Sequence, residues 1–519
     1  MDFINNKKAK KILILVVLML SVLVGVHFWA KSKVTRILEE KIPATIALKY
    51  TDLDLNVVFG NVSLHDAFIT VRSEDKTKTH TFFKVKAVKL KGLGYWDALF
   101  NDRISFRKIV LVQPKITHDP TRRDKVDKKA DSTKGKKVIA IKELEIRGGS
   151  LVVLDAAAND IATTVVDYDL SISDIELGPE TKHKLPFDFK NFKFKGKHIS
   201  TNNSPFEKFI FDELTIDEGN ARVTGFHIRP SYSKAALSNV LQFERDHVAL
   251  DIPKINLEHI QLNRDKNRFQ VAVDQMQLQK VNLQVYRDKL VADDLSKKPL
   301  YSESLRKLPF DLLVKETTIE DGFISYAELV DSENKAGELT FSSVQATVKS
   351  ISNAKDAAKT EIDVQAKFMK QAPLNLHWNF DVNNKNNALW VSGSLKNLPA
   401  SILNPFLKPN MNVVSEGKID EMYFKFQANK SVSNGEMKMK YDNFKFNILQ
   451  NDSSKVNKLL TAIGSLFFKS DSEGDSKADF RYGTIEAERD QTKSFFNYLW
   501  ISVKSGVVST LTGNGEKEK

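Results

Sequence analysis

Side chains able to do chemistry are plentiful in this chain, but their spacing assembles none of them into a site. The ten histidines (His27, His65, His80, His118, His183, His198, His227, His247, His259 and His377) are scattered. None stands in H-E-x-x-H or another metal-ligand spacing, so each reads as a surface or strand residue and no metal site is expected. Carboxylates abound on the polar sides of strand-like runs, yet no pair is singled out for acid–base work. Gly92-Leu93-Gly94 follows such a run, but Asp97 stands where a dinucleotide loop needs its third glycine, which leaves a simple glycine turn into Tyr95-Trp96-Asp97. Neither G-x-x-x-x-G-K-[ST] nor G-x-S-x-G occurs. The absence of cysteine removes thiol nucleophiles, thiolate zinc sites and disulfides. The expectation is a protein that is not an enzyme, with no catalytic residues and no cofactor.

What the chain has in quantity is alternation. From Ile46 the hydrophobic period is two: Leu53, Leu55 and Val57, then Phe83, Val85 and Ala87, then Ile104 and Phe106. Later runs include Phe269, Val271 and Val273; Val281, Leu283 and Val285; and Leu374, Leu376, Trp378, Phe380 and Val382. Met422, Phe424 and Phe426 precede Met437, Met439 and Tyr441. One side of each run is apolar and the other polar, the pattern of an antiparallel sheet wetted on one face. Acidic-Gly segments recur after Leu/Ile-rich strands at Leu144–Gly149, Leu214–Gly219 and Thr318–Gly322, which suggests duplicated strand units. Helical spacing returns at Val456, Leu459, Leu460, Ile463 and Phe467, and in an amphipathic segment with Phe496, Leu499, Trp500, Val503, Val507 and Leu511.

Ile12 to Ala30 carries no formal charge and would span about 28 Å as a helix, matching a hydrocarbon core of about 30 Å. Lys7, Lys8, Lys10 and Lys11 precede it, and no A-x-A cleavage site stands before Lys31, so an uncleaved signal-anchor is expected. Val34 to Glu40 reads as a short helix. His118 to Lys137 holds eight Lys/Arg, four Asp and no aromatic, a basic flexible loop. The net charge of +12 suits an anionic membrane surface, and its spread along strands argues against nucleic acid.

A sheet with one apolar face must cover it, and helices are too few to do so. Periodicity admits two answers, a second sheet packed face to face or a groove left open for an apolar ligand.

The chain resembles the AsmA-like family of bacterial envelope proteins, related to TamB-like and other repeating-β-groove proteins. The likeness is carried by the anchor, Phe59-Gly60-Asn61-Val62-Ser63-Leu64, Val88–Gly92 with Tyr95, and Ile109–Ile116. Further along, it rests on Leu308-Pro309-Phe310, Ile319–Tyr326, Gly435–Tyr441, Glu488-Arg489-Asp490 and Ser494–Trp500. The resemblance implies a mainly β fold: an N-terminal transmembrane helix, an elongated, curved antiparallel β-sheet groove, and amphipathic helices at the C-terminus. The corresponding segments are a cytoplasmic tail (1–11), the anchor (12–30), an AsmA-like β module (31–117), the basic loop (118–137), the groove (138–450) and a helical capping segment (451–519). The implied localisation is the bacterial inner membrane, single-pass, with the bulk in the periplasm. The implied function is carriage of phospholipid or another acyl-chain lipid between inner and outer membranes, with outer-membrane components as further partners. Its lining would be Phe269, Val271, Val273, Leu283, Phe323, Leu374, Leu376, Trp378, Phe380, Val382, Met422, Phe424, Phe426, Met437 and Met439. The alternative is a non-enzymatic scaffold or assembly factor for outer-membrane proteins.

Overall fold

The structure is a computed structural model whose described residues run from Thr45 to Gly513, apart from 74, 76, 96, 98–102, 123–137, 156–160, 178–188, 266–267, 450–471 and 473–478. Before Thr45 only Gly25, Phe28, Trp29, Lys31, Ser32 and Thr35 are described. The span Ile12–Ala30 and the helix read over Val34–Glu40 therefore lie almost wholly outside the described residues, and the stripe Val456–Phe467 lies wholly outside them. Among the described residues, no helix is long and apolar enough to cross a membrane.

The protein is mainly β, a mixed sheet with a C-terminal helix. It divides into two compact units, Met1–Asn202 with Phe211–Glu218, and Asn203–Ile210 with Gly219–Lys519. The division falls inside the segment 138–450 that the sequence presents as one groove.

The first unit contains β1 (Ile46–Lys49), β2 (Asp52–Asn56), β3 (Asn61–Arg72), β4 (Thr79–Leu93), β5 (Arg103–Val112), β6 (Lys115–His118), β7 (Val138–Leu154), β8 (Ile161–Leu177) and most of β9 (Asn191–Ser204). β10 (Glu207–Asp217) is divided between the units. The second holds β11 (Asn220–Pro230), α1 (Lys234–Val240), β12 (Asp246–Glu258), β13 (Gln261–Asp265), β14 (Arg268–Gln279), β15 (Asn282–Asp288), α2 (Tyr301–Arg306), β16 (Asp311–Leu329), β17 (Gly337–Ser352), β18 (Thr360–Phe368), β19 (Ala372–Phe380) and β20 (Leu389–Pro399). There follow α3 (Asn404–Met411), β21 (Val413–Ala428), β22 (Val432–Ile448), β23 (Arg481–Glu488) and α4 (Phe495–Thr512).

The antiparallel expectation needs one correction. β5 and β6 pair parallel with β7, and β14 and β15 pair parallel with β16. Alternating hydrophobicity reports which residues share a face and says nothing of strand direction. What does report direction is the length of the connection, because a parallel neighbour requires a crossover. His118 ends β6 at one end of the ladder, whereas Val138 starts β7 opposite Arg103 at the other. The basic loop joins those two ends. The segment 289–310, with α2, makes the same connection between β15 and β16.

The two units repeat this arrangement in register. β4 pairs with the broken strand β5/β6, as β12 pairs with β14/β15. The Gln113 amide donates to the Arg147 carbonyl (2.7 Å) and the Ser150 amide to that of Pro114 (2.8 Å). In the second unit Lys280 donates to Glu320 (2.8 Å) and Phe323 to Val281 (2.6 Å). Bulge residues in the left-handed region occupy matching places: Asp66 and Gly225, Gln113 and Lys280, Gly148 and Asp321. Each adds a residue that bends its strand. Pro114 has no amide hydrogen to give, and the ladder breaks there between β5 and β6. Two of the three sequence recurrences, Leu144–Gly149 and Thr318–Gly322, are these matching bulges. The third, Leu214–Gly219, runs into the turn that ends β10.

Gly417 marks another bulge, at φ +81°, where an added Cβ would stand 2.1 Å from the Asn443 carbonyl oxygen. At Gly148, φ +58°, the nearest atom would be Gln113 Cγ at 3.6 Å. Urea unfolding of Gly417→Ala is expected to show a loss of about 3 kcal/mol, and of Gly148→Ala about 1 kcal/mol, since only the first adds a clash to the backbone strain.

Candidate functional site: a repeated apolar face

Cross-strand partners lie on the same face of a sheet, so the register converts alternation into rows. In the first unit one row runs Leu53, Leu64, Val88, Leu111, Ile146, Leu170, Phe194. Its neighbour runs Leu55, Val62, Leu90, Ile109, Leu144, Ile172, Phe192. Beyond the bulges a third runs Leu48, Ile69, Phe83, Ile116, Leu151, Val165, Ile199. No polar residue interrupts any of them. Ile146, Val165 and Tyr168 pack with Leu111, Leu151 and Phe194, which places the rows on either side of the bulges on one face.

The second unit repeats the first and third rows without a polar residue, whereas its second, Ala221, Leu257, Met276, Thr317, Val348, Ile362, includes the buried Thr317. The first is Val223, Ile255, Leu278, Ile319, Ala346, Val364, Leu376, Gly393, Phe424, Met437. The third is Ile228, Leu250, Leu283, Ile324, Phe341, Phe368. Gly393 is no gap in the first row, because the Phe424 ring fills the space its side chain would take.

The two ends of these longer rows differ. Val88, Leu111, Leu170 and Phe194 in the first unit, and Ile255, Leu257, Met276, Leu278 and Ile319 in the second, are only half-buried. From β18 onward the row residues enter a packed core with α4 and the segment bearing Leu300. The expected lining residues Leu374, Phe380, Met422, Phe424, Phe426, Met437 and Met439 are all buried there, Leu376 and Trp378 partly so, and Val382 is buried in the loop that follows β19. In this arrangement they are core, not open lining, because helical segments from elsewhere in the chain cover them. Val273 is buried opposite Val314, and Leu283 is half-buried in the third row. Phe269 is exposed. Phe323 corrects the sequence reading: the bulge at Asp321-Gly322 inverts the alternation, so Ile324 takes the apolar row and Phe323 faces the other way, with the Lys370 ammonium 5.9 Å from its ring centre.

On α4, Leu511 is buried, Leu499, Val503 and Val507 are partly buried against the core, and Phe496 and Trp500 are exposed. The buried face of the helix is instead Tyr498, Ser502, Gly506 and Thr510, small or hydroxylic residues whose i, i+4 spacing was the available signal. α4 also closes the edge strand β23. The Thr484 and Glu486 amides donate to Ser509 Oγ (2.9 Å) and Ser505 Oγ (3.0 Å), partners that an uncovered edge would lack.

Charge is confined to the other face and to strand ends. On the wet face of the first unit, Glu145 accepts from Arg147 (2.9 Å) and pairs with Lys108 (2.6 Å). The Arg147 hydrogen bond, then Lys108, hold its carboxyl at about 2, against the opposing effect of burial. A depressed carboxyl contributes stability above its unfolded pKa near 4.5 that is lost as pH falls toward 2. In the second unit Glu244, its side chain 3% exposed, meets Lys289 (2.6 Å), Lys493 (2.9 Å) and Arg287 (3.8 Å). Among the described residues no group of His, Asp and Glu could hold a metal ion.

Compared with known proteins, the chain matches no family model and no curated sequence.

Buried Phe424 and half-exposed Leu278 lie in the same row. Phe424→Ala is expected to cost about 3–5 kcal/mol in chemical denaturation, as a cavity in a closed core. Leu278→Ala should cost no more than about 2 kcal/mol, because part of its surface is already in water.

Proposed function

We propose that the protein is a membrane-anchored lipid-binding groove, which carries phospholipid between the inner and outer membranes of a bacterial envelope. The observation that carries this reading is the set of apolar rows repeated in both units, two of them uninterrupted in each, with partly exposed residues such as Val88, Leu111, Phe194, Ile255, Leu278 and Ile319 along them. Acyl chains require a continuous apolar surface and no fixed polar partner, and each buried CH₂ contributes about 0.8 kcal/mol. The seven residues of the first row stand on neighbouring strands about 4.8 Å apart, a path on the order of 30 Å. An acyl chain spans about half of a hydrocarbon core of about 30 Å, so one unit can hold its full length.

Ile12–Ala30 supplies the anchor in this reading, with the bulk of the chain in the periplasm and the lysines before the span on the cytoplasmic side. The resemblance to AsmA-like proteins supports the same placement. The apolar face belongs to lipid, and the charged face to water.

The full-length protein, extracted in mild detergent, is expected to carry phospholipid detectable by mass spectrometry. Leu111→Asp combined with Leu278→Asp should lower bound lipid at least tenfold while leaving the far-UV circular dichroism unchanged. The same variant should sensitise cells to agents that an intact outer membrane excludes. Unchanged lipid loading in a folded double variant would overturn the groove.

A further inference from the structure

The two crossovers occupy equivalent places in the repeat, and the one in the second unit packs onto the apolar core. In the first unit the connection begins with a 3-10 turn, Pro120–Arg122, that buries no residue. In the second, the segment 289–310 carries α2 and inserts Leu300, 2% exposed, into the core formed by Ile362, Phe380, Leu389 and Phe495. Leu305 packs against the same core, and the Tyr301 ring lies 5.3 Å from that of Phe495. This segment therefore lies where the half-exposed rows of β11–β16 give way to the closed ones.

Its attachments are polar and lie at strand ends. Arg306 donates to the Val382 carbonyl (2.5 Å) and to Asn387, and Ser302 Oγ donates to Asn387 Oδ1 (3.0 Å). The chain just before α4 completes the clasp. The Lys298 amide donates to the Gln491 carbonyl (2.8 Å), and Arg489 donates to the Lys298 carbonyl (2.5 Å). Lys493 Nζ bridges Glu244 and Asp293, both at 2.9 Å. Burial works against the Lys493 ammonium, but its bonds to Asp293 and Glu244 outweigh burial and raise its pKa. A raised lysine keeps its contribution below the unfolded value of 10.5 and loses it only as pH climbs past that, so the clasp is charged at neutral pH.

The covering is also incompletely satisfied. Trp378 Nε1, in a ring 6.0 Å from that of Phe495, and Arg489 Nε are buried with no hydrogen-bond partner among the described residues. Buried unpaired donors disfavour the closed arrangement and regain partners when water enters. A small apolar insertion of Leu300 with Leu305 and Tyr301, a polar clasp and orphaned donors describe a cover that is held in place and can be released.

We propose that the segment 289–310 is a lid on the apolar face, clasped by Asn387, Arg489 and Lys493, whose release extends the lipid path from β14–β16 onto β19 and β21. This rests on the lipid-groove reading and adds its regulation.

The absence of cysteine makes a direct test clean. Ser302→Cys with Asn387→Cys supplies the one disulfide that can form, and Arg306→Ala with Lys493→Ala loosens the clasp. Full-length protein of each kind is incubated with phosphatidylethanolamine bearing a photoactivatable diazirine acyl chain, irradiated, and its adducts are mapped by peptide mass spectrometry. Since the reactive group is on the lipid, no core residue is altered. Adducts on β5 and β14 are expected in every sample. Adducts on β19 and β21 should fall at least fivefold in the oxidised double-cysteine protein relative to the reduced one, and rise in the loosened variant. Equal labelling of β21 in oxidised and reduced protein overturns the lid, as does a loosened variant labelled on β14 and not on β21. No labelling of β5 or β14 in any sample overturns the groove itself, and the lid with it.

Discussion

A bulge recurring at matched places in successive strands is the constraint from which the rest of the architecture follows. Asp66, Gln113 and Gly148 adopt left-handed backbone in the first unit, and Gly225, Lys280 and Asp321 do so in the second. Gln113 and Lys280 have no special tolerance for that region, so the surrounding ladders must hold them there. Each extra residue shifts the alternation by one, and the shift returns apolar side chains to the same face on both sides of the bend. Without it, the rows through Leu111 and Ile116 would lie on opposite faces and neither face would be continuous. The parallel pairing of β5/β6 with β7 preserves this, since the broken strand and its long partner carry the irregularity at the same level.

Exposed apolar face and marginal stability have to be reconciled. In an ordinary sandwich the second sheet would bury such rows; here half-burial comes from neighbours in the rows themselves, which pack side against side along a bent sheet. Compensation is concentrated at the end of the chain. There β17–β23 close over Met437, Met439, Tyr441, Phe444 and Ile485, each at most 1% exposed, with α4 sealing both the face and the β23 edge. The stable core thus lies at the C-terminal end of the second unit. The open rows are spared the task of holding the fold together. Disulfides are not used for it.

The sequence disclosed the faces well and the topology poorly. Alternation at Leu374–Phe380 or Met422–Phe426 identified which side chains share a side, and the register agrees. It could not tell closed rows from open ones, because Phe424 and Leu278 are equally apolar and differ only in what lies above them. That depends on Leu300 and Phe495, distant in sequence and unmarked by any local pattern. Parallel pairing was equally hidden in periodicity, although the length of the basic loop before Val138 was a signal for a crossover. The recurrence of Leu144–Gly149 and Thr318–Gly322 is legible as a duplication but not as a bend. Its meaning lay in the left-handed residue at each bulge, and bulges were also what misassigned Phe323.

Duplication explains why the crossover of the second unit can be specialised. Once the rows are specified twice, by equivalent pairings such as Val88–Leu111 and Ile255–Leu278, each copy satisfies its own ladder and tolerates change in its connections. A crossover must run from one end of a strand to the other, so it has length enough to lie across a face. In the second unit that length is used to insert Leu300, and the cost is borne by ion pairs at strand ends rather than by the rows. Lys493 and Glu244 are partners separated by much of the unit's sequence. Their pairing ties the cover of the apolar face to the segment that leads into α4.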